Sequence, residues 1–92
     1  MPRKTKHAAT RSRTSLWFAP PEPSHVIRPL ERVSVAVSQP CTIAVTDGGG
    51  NEYHRGAAGP EASFIVGGAL GMHTVTAYGS DGRKSATLSF AV

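Results

Sequence analysis

The chain is predicted to be all-β, an antiparallel sandwich of six to seven short strands behind a basic N-terminal tail. Three observations predict this. Apolar residues recur at every second position in several stretches, as in Val33, Val35 and Val37, and the side-chain period of a strand is two. Turn-forming residues interrupt the chain every eight to twelve positions: of 92 residues, 10 are Gly and 7 are Pro. No window repeats apolar residues at the i, i+3, i+4, i+7 spacing of an amphipathic helix.

Composition divides the chain in three. Residues 1–15 hold Arg3, Lys4, Lys6, Arg11 and Arg13 and no acid, with no periodicity, and read as a disordered tail. Residues 16–31 carry Pro20, Pro21, Pro23 and Pro29, which fix φ and remove N–H donors. They read as a stiff, extended lead-in, with Trp17, Phe18, Val26 and Ile27 free to pack as a first edge strand. Residues 32–92 are the sandwich. The net charge of +4 belongs to the tail, because residues 16–92 set five bases against six acids. A chain of this length buries about 60–65% of the surface its unfolded form exposes, so its stability is modest.

In order, Arg32–Ser38 is the first core strand, ended by Gln39-Pro40. Cys41, Ile43 and Val45 form the inner set of the next, which stops at Asp47. Residues 47–51 are a glycine loop, 52–55 a short return strand at an edge, and 56–61 a connection. Residues 62–68 are a strand with Phe64 and Val66 on one face. The closing hairpin places Val75 and Ala77 against Leu88 and Phe90, with Asp81-Gly82 giving the positive-φ residues of a tight turn. Its ending on the apolar "LSFAV" suggests a chain that normally continues into a further domain.

"LGMHTVTAYGSDGRKSATLSF" (70–90) resembles the last strands of bacterial immunoglobulin-like domains, through Leu70, Gly71, His73, Val75 and Ala77, then Asp81-Gly82 and Ser85-Ala86-Thr87. The resemblance runs more weakly back to Val33 and implies an immunoglobulin-like sandwich. It also implies that His73 stands where the family usually has the tyrosine of a structural corner, a ring nitrogen replacing the hydroxyl. Residues 44–92 look like the small sandwich preceding the catalytic domain in some large bacterial glycoside hydrolases and polysaccharide lyases. That likeness implies an accessory domain of an exported, carbohydrate-active polypeptide, extracellular or periplasmic, although no signal peptide is visible: "LWFA" is too short for its apolar core.

No catalytic, metal or cofactor motif is present, so the expectation is a non-catalytic structural or interaction module without a cofactor, partnered by an adjoining domain. "DGGGNE" offers too few alternating oxygens for calcium and reads as a hairpin loop. A zinc site from Cys41, His54 and His73 would need three separate strands to converge, and Cys41 reads as a small core residue. Two alternatives remain. Trp17, Tyr53 and Tyr78 could stack sugar rings, making a carbohydrate-binding module. Arg3, Lys4, Lys6, Arg11 and Arg13 could contact polyanions such as nucleic acid non-specifically, against which the near-neutral body offers no basic face. No stretch is long and apolar enough to span a membrane.

Overall fold

In the computed structural model, which describes residues 14–92, all regular structure is strand. The seven strands are β1 (Leu16–Phe18), β2 (Arg32–Val37), β3 (Cys41–Thr46), β4 (Glu52–Ala58), β5 (Glu61–Ile65), β6 (Met72–Tyr78) and β7 (Lys84–Ala91). They form two antiparallel sheets, one in the order β1-β2-β5 and the other β4-β3-β6-β7. Among the described residues no helix is long and apolar enough to cross a membrane. The five basic tail residues Arg3 to Arg13 lie outside the described residues.

The alternating apolar residues explain why the sheets stack. Val33, Val35 and Val37 of β2 and Phe64 of β5 meet Ile43 and Val45 of β3, Val75 and Ala77 of β6, and Phe90 of β7 in one core, joined by Ile27 and Val66. Burying each of the larger aliphatic side chains contributes about 1.5–3 kcal/mol. Between these positions hydroxyls face outward and bond across strands, as in Ser34 with Ser63 at 2.8 Å and Thr74 with Ser89 at 3.3 Å.

The lead-in is tied to this body. Trp17 and Phe18 belong to edge strand β1, and Ile27 is buried while Val26 is exposed. The Glu31 carboxylate accepts the Arg28 N–H at 2.9 Å and bonds His25 Nε2 at 2.7 Å, which closes the turn entering β2. Thr14 and Ser15, basic-tail residues by composition, are bonded to the body. The Thr14 N–H donates to Ser85 Oγ at 2.8 Å and the Ser15 N–H to Ser38 Oγ at 2.8 Å.

Three expectations change in detail. The return strand does not stop at Arg55: β4 runs on to Ala58, which is buried opposite Cys41, so only Gly59 and Pro60 connect β4 to β5. Pairing with β3 recruits Gly56, Ala57 and Ala58 despite their poor strand propensity. In the closing hairpin Val75 does oppose Leu88, but Ala77 opposes Ala86 and Phe90 opposes His73. The turn there is wider than a two-residue one, with Gly82 N–H bonded to Gly79 O and Gly79 N–H to Arg83 O. Only Gly82 takes positive φ, at 79°, while Asp81 turns its carboxylate to the Arg83 N–H. A turn followed by one left-handed residue needs a single glycine.

Candidate functional site

Among the described residues the one ionisable side chain buried within the core is His73, at the start of β6, with no exposed surface. A buried imidazole is stable only if both nitrogens are bonded. Nε2 lies 2.8 Å from the carbonyl oxygen of Ala69 and Nδ1 lies 2.7 Å from Tyr53 Oη. The carbonyl can only accept, so Nε2 donates. Nδ1 then accepts from the Tyr53 hydroxyl.

Tyr53 reaches inward because of an irregularity in the ladder. Val45 pairs with His54 and Thr46 with Glu52, leaving Tyr53 as the extra residue on β4. A bulge of this kind breaks the alternation and re-aims a side chain. Both Tyr53 and His54 consequently turn toward the interior. Tyr53 meets His73 edge-on with ring centroids 5.4 Å apart, and His54 lies 5.6 Å from Phe64. Glycine at position 67 gives the ring room, since a Cβ there would sit 3.1 Å from Tyr53 Cδ2. Burial pushes the Tyr53 phenol above its ordinary value, and the nearby Asp47 charge adds to this, so the hydroxyl stays protonated and donating.

Asp47 lies at the head of the β3–β4 loop. Its Oδ1 accepts the N–H groups of Gly49 at 2.9 Å and Asn51 at 3.0 Å, and these bonds hold its carboxyl below the usual range. The loop's carboxylate is thereby committed to its own backbone. Among the described residues no group of three His, Cys, Asp or Glu side chains is placed to hold a metal ion. Cys41 is half-buried against the core, and burial raises its thiol pKa, which suppresses the reactive thiolate.

The three aromatic residues that could stack sugars lie apart. Trp17 is 43% exposed on β1 of the three-stranded sheet. Tyr53 turns inward to His73. Tyr78 lies on the outer face of the four-stranded sheet, where Arg55 sits 5.3 Å above its ring. Arg55 is fixed there by Glu52 through bonds of 2.9 and 2.7 Å. The same face of the sheet carries the hydroxyl side chains of Thr42, Thr46, Thr74, Thr76, Thr87 and Ser89. Open grooves flank the lead-in, one of about 470 Å³ against His25 and residues 28–31 and one of about 380 Å³ between residues 19–25 and 31–34.

The sequence singled out His73 and Tyr53, but for separate roles. Their bond depends on the bulge, and alternation within β4 carries no sign of it. The acceptor Ala69 contributes through its backbone and leaves no mark in residue type. No family model, curated protein or solved structure matches the chain.

Proposed function

We propose that the chain is a non-catalytic interaction module with immunoglobulin-like connectivity. The observation that carries this reading is the bond from His73 Nε2 to the carbonyl of Ala69, four residues upstream at the entry to the penultimate strand. A side chain there that bonds back to preceding backbone is the geometry of a corner. The strand order supports the same reading, with the first, second and fifth strands in one sheet and the other four in the second. The buried imidazole has both nitrogens engaged in holding the fold, which leaves it unsuited to reaction chemistry. The likeness of residues 44–92 to accessory sandwiches supports a place beside a carbohydrate-active domain.

A second reading, a carbohydrate-binding module, draws on the exposed Trp17 and on Tyr78 of the hydroxyl-bearing face, which lie on separate sheets. One experiment addresses both. The chain is incubated with a panel of soluble polysaccharides, and gel retention and the release of reducing or unsaturated ends are followed together. The module reading expects no bond cleavage. Retention lost in Trp17→Ala or Tyr78→Ala establishes sugar binding and identifies the face. Cleavage by the wild-type chain overturns the proposal.

A further inference from the structure

Each sheet has two outer strands, and three of the four are poorly suited to accept another strand. β1 is three residues long and runs into Pro20-Pro21. β4 carries the Glu52–Arg55 ion pair at 2.7 Å. β5 begins with Glu61 behind Pro60. Short length, proline and charge are the usual means of blunting an edge. β7 is blunted only at its first residue, Lys84: from Ser85 to Ala91 there is no charged side chain, no proline and no glycine.

The unpaired groups on that edge can be named. Val92 and Gly71 exchange both backbone bonds, at 2.9 and 3.0 Å. Bonded and non-bonded pairs alternate along an antiparallel ladder. With the observed register, Phe90, Leu88 and Ala86 therefore point their N–H and C=O groups at β6, and Ala91, Ser89 and Thr87 point theirs away from it. Near Ser85 the edge is flanked by Thr14. Beside Ser89–Ala91 it opens into a groove of about 430 Å³ whose far wall is residues 23–27, with Val26 71% exposed. Among the described residues no backbone bond from outside the sheet reaches Thr87, Ser89 or Ala91.

We infer that this edge pairs antiparallel with β7 of a second copy of the chain. The inference names a partner for the interaction module proposed above and rests on that reading for its biological place. The strand is complementary to itself. With a two-fold axis through Ser89, Thr87 lies opposite Ala91 of the other copy and Ser89 opposite its own equivalent, so all three residues can exchange both backbone bonds. On the inner face the half-buried Leu88 comes beside the second copy's Phe90. The charge distribution favours the same occupant. Among the described residues the basic side chains nearest the strand, Arg83 and Lys84, lie at its start, so antiparallel pairing carries the two clusters to opposite ends of the joint ladder. Residues 16–92 hold five bases and six acids, so the bodies add no appreciable repulsion to that between the basic N-terminal residues of the two chains. An isologous contact of this kind closes at two copies.

The test uses sedimentation velocity on the full chain, with circular dichroism to follow folding. The wild-type chain should show a concentration-dependent dimer. Ser89 is exposed, so Ser89→Lys and Ser89→Glu should both fold. Each places two like charges across the axis and should weaken the dimer by about tenfold. An equimolar mixture of the two variants should regain it, because every Lys then faces a Glu. A wild-type chain that stays monomeric up to millimolar concentration overturns the inference, as does a dimer that neither variant weakens. Monomeric behaviour would leave the module reading standing, whereas polysaccharide cleavage would remove that reading and leave the dimer untouched.

Discussion

Replacing Tyr53 by Phe tests whether the buried bond between Tyr53 and His73 stabilises the fold. The substitution keeps the ring and its edge-on contact with His73 and removes one oxygen. Nδ1 of His73 then loses the donor at 2.7 Å, in a side chain with no exposed surface, so water cannot take its place. Leaving a buried acceptor unsatisfied costs about 1–3 kcal/mol. The loss should be about 2 kcal/mol, which lowers the thermal midpoint of a domain this size by roughly 8–16 °C. Urea unfolding followed by far-ultraviolet circular dichroism measures it, with an unchanged m-value as the mark of an intact fold. The double variant Tyr53→Phe/His73→Phe removes donor and acceptor together, so its loss should fall short of the summed single losses by about 1 kcal/mol. A Tyr53→Phe protein within about 0.3 kcal/mol of wild type, or strict additivity in the double variant, would refute the reasoning.

Two further outcomes follow from the packing and the loop. Phe90→Ala removes a ring whose centroid lies 6.2 Å from Phe18, 6.2 Å from Phe64 and 5.6 Å from His73, at a cost of about 3–5 kcal/mol. That is a large part of the stability of so small a domain, and calorimetry should record a steep fall or loss of the cooperative transition. For Asp47, the loop bonds hold the folded pKa below the ordinary 3.8, so its stabilising contribution is complete above that value and is lost as pH falls through the folded pKa. Between about pH 5 and about pH 2 the urea midpoint should fall further in wild type than in Asp47→Asn. Parallel curves would show that this carboxylate does not contribute.

The parts of the fold legible in the sequence are those where burial alone decides the pattern. Val33, Val35 and Val37, or Ile43 and Val45, face a core on one side and water on the other, and their spacing records it. The second half of β4 was hidden because Gly56, Ala57 and Ala58 carry little strand preference and take their conformation from β3. The His73–Phe90 pairing was hidden because it depends on the length of the 79–83 turn, set by hydrogen bonds more than by residue type. The resemblance to immunoglobulin-like domains suggested a bond from His73 to nearby backbone, whereas its second partner, Tyr53, comes from a bulge produced by tertiary pairing.

The attachments of Thr14 and Val92 also bear on how the body responds to pulling. Thr14 is pinned beside Ser85, near the 79–83 turn, and Val92 is bonded to Gly71 at the other end of the same hairpin. Tension applied between these two residues would run along the strands, so the hydrogen bonds joining β7 to β6 and β1 to β2 would bear it side by side in shear. A ladder loaded that way must break its rungs together, whereas one peeled open loses them a rung at a time.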